Sequence, residues 1–245
     1  MKKCKKCGTE NVDIASFCSL CSEDLSKTTI NINNPKLQKL LQKKQAEIMF
    51  VLDCTGRMQG EIDTIKTTIT DFADTIEKDN VRVKVGLIEF RDRLINEEHR
   101  VLKFNGEIFT NNPEIFRKEV EKIKADGGGD IPESSLDAIM LALNQPFTPE
   151  VTKVIVLITD APPHIPDQET KNIEEVIKKL AEKNIDQIHL VIRNEEEDSK
   201  VYRQLIGEAK GLCFELGKGE DFKSRSEHFK KVLMQLGKTI SAMTV

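Results

Sequence analysis

The sequence lacks any apolar run long enough to cross a membrane. Stretches such as Ile48-Met49-Phe50-Val51-Leu52 and Val154-Ile155-Val156-Leu157-Ile158 are five residues long, against the roughly 18 that a spanning helix needs. Glycine (13 residues) and proline (8) are few and scattered, which excludes collagen-like and low-complexity chains. The basic start Met1-Lys2-Lys3-Cys4-Lys5-Lys6 runs into Cys, Gly, Asn and Asp instead of the apolar stretch of an export signal. These absences imply a chain with no membrane contact in a reducing cytoplasm, where clustered cysteines are metal ligands more often than disulfides.

What is present is a 245-residue chain with 38% hydrophobic and 32% charged side chains. That length fits one α/β domain of roughly 200 residues plus a small appendage, and a domain of this size buries a full core without disulfides. Charge separates along the chain. Residues 1–45 hold nine Lys against four Asp/Glu, while 46–245 carry 28 basic and 37 acidic residues. A basic front end admits nucleic-acid binding, although four metal-bound thiolates would cancel most of its excess.

Cys4-Lys5-Lys6-Cys7-Gly8 and Cys18-Ser19-Leu20-Cys21 are two C-x2-C pairs ten residues apart. Each pair can form a tight turn whose backbone N–H groups face the sulfurs, and together they supply the four thiolates of a tetrahedral Zn2+ site. So short a segment has too little apolar material to fold alone, and zinc can contribute on the order of 10 kcal/mol to it. With four thiolates bound the site is closed, which makes the zinc structural and not catalytic; a redox dithiol is the competing reading. The string also resembles the short zinc-ribbon family, with Gly8, Asn11, Phe17 and Leu25 in that family's places. The expected organisation is a zinc ribbon at 1–25, a linker at 26–45 with a short Leu37, Leu40, Leu41 stripe, and a large domain at 46–245.

From Ala46 the chain alternates apolar strands and amphipathic helices. Continuous apolar runs predict strands at 48–52 and 153–159, with further strands at 81–88, 186–193 and 212–216 and a hairpin partner around Asn105-Gly106. Met58, Ile62, Ile65, Ile69, Phe72 and Ile76 recur at helical spacing. Further helices are expected at 112–124, 133–144, 167–184, 199–210 and 221–243. The fold class that follows is α/β, a doubly wound, mostly parallel sheet flanked by helices, plus the small N-terminal zinc ribbon. Ligands of such sheets bind beyond the carboxyl ends of the strands, near the switch in strand order.

Three segments place oxygen ligands there: Asp53-Cys54-Thr55-Gly56-Arg57-Met58, Gly127-Gly128-Gly129-Asp130, and Thr159-Asp160-Ala161-Pro162-Pro163-His164. A single strand-end Asp most often caps the next helix. Several converging at one edge need a cation or an Arg to offset their repulsion.

These motifs, together with Val85-Gly86-Leu87-Ile88-Glu89-Phe90-Arg91-Asp92-Arg93, strongly resemble the von Willebrand factor type A domain family, nearest its intracellular branch associated with alpha-kinases and bacterial regulatory operons. Asp53, Thr55, Gly56 and Met58 match the first motif, Gly127 through Glu133 a G-G-G-D-x-P-E element, and Asp160 through His164 a D-A-P-P-H strand end. The resemblance implies a metal-ion-dependent adhesion site, in which Mg2+ or Mn2+ is bound through side-chain oxygens and completed by an acidic residue of a protein partner. By motif position Asp53, Thr55, Asp130 and Asp160 belong to that site. Arg57 stands where the family has a second hydroxyl, and a guanidinium has no lone pair to give. Either Asp130 compensates or Arg57 itself replaces the ion.

The expected function is therefore non-enzymatic protein interaction. The first alternative is a nucleic-acid or ribosome-associated factor that uses the basic ribbon. A phosphoryl-transfer enzyme is weaker: the second Asp of a D-x-D site is replaced by Thr55, and no glycine stretch continues into the G-K-[ST] of a phosphate cradle. His164 is read as a rim or loop-stabilising group, His189 as a satisfied core histidine, and Cys54 and Cys213 as inert thiols in or beside strands.

Overall fold

In β3 (Gln45–Asp53) alternate side chains go to opposite sides of the sheet and all but the first residue are buried. Ile48, Phe50 and Leu52 join one apolar cluster, while Met49 and Val51 join the other. A strand buried on both faces needs an unbroken apolar run, which is what the sequence supplies. The computed structural model describes residues 2–12, 15, 17–23, 25, 45–78, 81–129, 131–207, 209–217 and 221–244. Asp130 and almost all of the 26–45 linker, with its leucine stripe, lie outside the described residues.

The chain divides into two units, Met1–Leu40 and Leu41–Val245. In the first, β1 (Lys2–Lys3) pairs antiparallel with β2 (Glu10–Asn11). In the second, β3 is followed by α1 (Gln59–Lys78), β4 (Arg82–Phe90), β5 (Arg100–Val101), α2 (Pro113–Val120), α3 (Ser135–Leu143), β6 (Thr152–Ile158), α4 (Ile173–Glu182), β7 (Gln187–Ile192), β8 (Cys213–Glu215) and α5 (Phe222–Met243). The six strands lie in the order β5-β4-β3-β6-β7-β8. Only the edge strand β5 is antiparallel. The chain winds outward from β3 to β5, then crosses to β6 on the other side of β3, so the switch point lies between β3 and β6.

Helices cover both faces. On one, Met58, Ile62, Ile65 and Phe72 of the α1 side pack with Phe229, Val232, Leu233, Leu236 and Ile240 of α5. The Thr64 hydroxyl donates to Ser226 Oγ at 2.9 Å along this helix pair, so the last helix belongs to this domain. On the other, Leu136, Ile139 and Leu143 of α3 and Ile173, Val176 and Leu180 of α4 pack over Ile155, Leu157, Ile188 and Leu190.

The doubly wound sheet is as expected, and three helices differ in extent or type. The 112–124 helix ends at Val120. The 167–184 helix begins at Ile173, because Asn172 accepts from the Glu175 N–H as its cap and Asp137 holds the preceding N–H groups of Glu169 and Thr170. Residues Asp198–Gly207 wind as a 3-10 helix instead of the expected α-helix at 199–210.

Candidate functional site

The N-terminal cysteines sit on two turns of the same design. Gly8 donates its N–H to Cys4 O at 2.9 Å and Ser22 to Cys18 O at 3.0 Å, and both residues have left-handed backbone, φ 78° and 56°. Glycine reaches that conformation at no steric cost, so Cys7-Gly8 is a natural knuckle. Asn11 ties the turns together by accepting from the Ser19 N–H at 2.8 Å while its amide lies 3.7 Å from Cys18 Sγ. Cys4 Sγ is 3.6 Å from Cys21 Sγ, and Cys7 Sγ is 3.5 Å from Cys18 Sγ. All four sulfurs fall within 4.8 Å of one another. A zinc ion with Zn–S bonds of about 2.3 Å needs sulfurs about 3.8 Å apart, so the residues fit the ion. Backbone N–H groups of Cys21 and Leu20 lower Cys18 to about 6. Cys21 is pushed up to about 12: the Glu23 N–H favours its thiolate, but burial and the Cys7, Cys4 and Cys18 sulfurs outweigh it. Such crowding of negative charge is what a bound cation relieves.

The second cluster stands at the switch point. Asp53 ends β3, fully buried, and its carboxylate is held from three directions: Oδ1 accepts from the Thr55 N–H at 2.9 Å and the Thr55 hydroxyl at 2.7 Å, and Oδ2 accepts from the Thr159 hydroxyl at 2.6 Å. Thr55 begins the 3-10 turn Gly56–Met58 that leads into α1, which turns the positive end of a helix towards this pocket. Asp160, two residues past β6, is 4% exposed. Its Oδ1 lies 3.2 Å from Arg57 Nη2 and its Oδ2 3.6 Å from Arg193 Nη2. The structure thus brings Asp53, Thr55, Arg57 and Asp160 together.

A glycine loop closes the pocket. Gly56 donates its N–H to Gly127 O at 3.1 Å, and Asp126 donates to Cys54 O at 3.0 Å. Gly128 has φ +79°, and a Cβ there would stand 2.9 Å from Thr55 Cβ and 3.2 Å from Glu133 Oε1. The loop therefore seats on Thr55 only because it is glycine. Beyond it, Glu133 and Asp92 are each 1% exposed. His164 donates its backbone N–H to Glu133 O at 3.0 Å, and its ring Nε2 lies 3.3 Å from Asp92 Oδ1. Asp92 Oδ2 and Glu133 Oε2 have no hydrogen-bond partner among the described residues.

Burial raises Asp53 to about 6 against the pull of the Thr159 and Thr55 hydrogen bonds, with Asp160 adding repulsion. Burial, followed by repulsion from Asp53 and Asp92, raises Glu133 to about 8. The two guanidinium groups both address Asp160; among the described residues neither Asp53 nor Glu133 has a basic partner at ion-pair distance. The pocket is a hard-oxygen set with more acidic than basic side chains, and Mg2+ or Mn2+ fits its chemistry. Residues able to hold such an ion are Asp53, Thr55 and Asp160.

Sequence reasoning did not single out Arg193, Asp92 or Glu133 as site residues. Arg193 directly follows β7 and Asp92 lies two residues past β4, so the strand-end criterion applied to β3 and β6 reaches both. The elements around the pocket leave Leu94, Ile95, Ile131 and Ile165 exposed. His189 is the satisfied core histidine expected: fully buried, its Nε2 is 3.0 Å from Gln187 Oε1 and its Nδ1 accepts from the Leu212 N–H at 3.2 Å.

Comparison with known proteins agrees with the fold. The chain is 28% identical over 120 residues to the alpha-protein kinase vwkA of Dictyostelium discoideum, covering 48% of this chain and 19% of that protein. It is 32% identical over 119 residues to the von Willebrand factor A domain-containing protein 7 of Homo sapiens, covering 48% of this chain and 12% of that protein. The matched region is thus a small part of either relative. The profile of the von Willebrand factor A domain matches residues 47–218, and on that match, with its six-stranded doubly wound sheet, the chain belongs to the von Willebrand factor A domain family.

Proposed function

We propose that the chain is a non-enzymatic protein-interaction module. It takes a divalent cation, Mg2+ or Mn2+, at Asp53, Thr55 and Asp160, with Asp130 a further expected ligand, and a partner's acidic side chain completes that cation. The observation that carries the reading is the pair of buried carboxylates, Asp53 and Asp160, at adjacent parallel strand ends, beside a Thr55 hydroxyl that donates to one of them. Leu94, Ile95, Ile131 and Ile165, on segments that also carry Asp92, Glu133 and His164, are exposed and offer a partner apolar area to bury. The four cysteines would hold a structural zinc in a separate ribbon, and thiolate ligation suits a reducing cytoplasm. No helix among the described residues is long and apolar enough to cross a membrane.

A bound ion would supply positive charge and an open coordination position. The chain's own groups do the rest: Thr159 and the Thr55 N–H orient Asp53, while the Gly127–Gly129 loop shields Thr55 from water. Millimolar Mg2+ or Mn2+ should raise the melting temperature of the chain by several degrees, and Asp53→Ala should abolish that gain. Equal melting temperatures with and without the ion would overturn the reading.

One observation favours a second reading: Arg57 already contacts Asp160 at 3.2 Å, so the guanidinium could stand in for the ion and present its exposed side to a partner's acid. Docking that survives chelation of divalent ions and is lost in Arg57→Ala would select it. The basic ribbon as a nucleic-acid or ribosome contact is the remaining alternative, and salt-sensitive binding lost on changing Lys2, Lys3, Lys5 and Lys6 would select that.

A further inference from the structure

We infer that Glu133, two residues before α3, supplies a carboxylate to the strand-end cation site. This rests on the proposed cation reading and deepens it. Glu133 is 1% exposed, and its Oε2 has no hydrogen-bond partner among the described residues. A buried acceptor without a partner is costly, the more so if charged, so its retention calls for a ligand. Its other oxygen lies 3.2 Å from where a Cβ on Gly128 would stand, the same point that Thr55 Cβ approaches to 2.9 Å. Glu133 and Thr55 therefore both border the bare backbone of Gly128.

The backbone fixes Glu133 from two sides. Its N–H donates to Pro162 O and its carbonyl accepts from the His164 N–H, both at 3.0 Å. This short parallel bridge joins the glycine-loop segment to the segment after β6, the one that bears Asp160. A carboxylate so anchored is positioned by two of the three loops that build the pocket. Its neighbours are mostly acidic: Asp53, Asp92 and Glu97 repel it, while Arg57 attracts it. A hard cation is the ligand class that satisfies a partnerless carboxylate oxygen in such company.

The test is calorimetric titration of Mn2+ into the full chain and into Glu133→Gln, Glu133→Asp and Asp53→Asn, each checked for a native melting transition. Gln keeps the shape and removes the charge, so Mn2+ affinity in Glu133→Gln is expected to fall tenfold or more while Glu133→Asp keeps part of it. If the wild type binds Mn2+, Asp53→Asn does not, and Glu133→Gln binds as the wild type does, Glu133 is a protonated core acid and the inference is wrong while the cation reading stands. If the wild type itself binds no Mn2+, the cation reading fails and the inference with it. Should Glu133→Gln fail to fold, the wild type's melting gain in Mn2+ against that of Glu133→Asp decides: a smaller gain in Glu133→Asp supports the inference, and an equal gain overturns it.

Discussion

Arg57 donates from Nη2 to Asp160 Oδ1 at 3.2 Å. The guanidinium is 43% exposed and the carboxylate 4%, so the pair joins a solvated cation to a buried anion at the position where a divalent ion would sit. On the proposed cation reading, Arg57 and the ion would compete for one oxygen. Arg193, 3.6 Å from the other oxygen, keeps Asp160 from being stranded when Arg57 moves away.

Removing the competitor therefore favours the ion. Arg57→Ser restores a hydroxyl where the family has one and deletes a half-exposed ion pair, worth up to about 1 kcal/mol. Mn2+ affinity measured by calorimetry is expected to rise by up to about 5-fold on the same scale. Weaker binding in Arg57→Ser would mean that the guanidinium helps to form the site.

Gly128→Ala probes the seating of the glycine loop without adding or removing a charge. The new methyl would meet Thr55 Cβ at 2.9 Å on a backbone with φ +79°, a strain of about 1 to 3 kcal/mol. The expected outcome is a lower melting temperature and weaker Mn2+ binding together. An unchanged Mn2+ affinity would show that the loop has no part in the pocket.

Acid stability should depend on His189. Burial lowers it from 6.5 to about 4, so between these values the unfolded chain binds a proton that the native chain refuses. Its contribution to stability is present above pH 6.5 and is lost as pH falls towards 4, on the order of 3 kcal/mol in all. Urea unfolding across that window should give a slope with pH that His189→Gln reduces. Equal slopes in the two proteins would remove His189 as the cause.

Zinc in the N-terminal unit should be stoichiometric. One equivalent per chain is expected by elemental analysis after dialysis, and Cys18→Ser, which removes one of the four clustered sulfurs, should lower it to a small fraction. Retention of a full equivalent in that variant would place the metal elsewhere.

The doubly wound sheet was legible because the strands at its centre are covered on both faces: Ile48–Leu52 and Val154–Ile158 cannot be anything but apolar. Helix limits were less legible because distant groups decide them. Nothing local to Gln168-Glu169-Thr170 announces that Asp137, on α3, holds two of their N–H groups, and that capture delays α4 to Ile173. At the pocket, Asp53 and Asp160 stand out as the acids that follow apolar strands. The burial of Glu133 and the reach of Arg193 to Asp160 arise only when loops remote in sequence meet, so no local pattern carries them.

Crystals grown with Mn2+ and measured at the manganese absorption edge test the cation site most directly. An anomalous peak among Asp53, Thr55 and Asp160, with Arg57 turned away from Asp160, is the predicted result. A map without a peak there, with the Arg57–Asp160 contact intact, would contradict it.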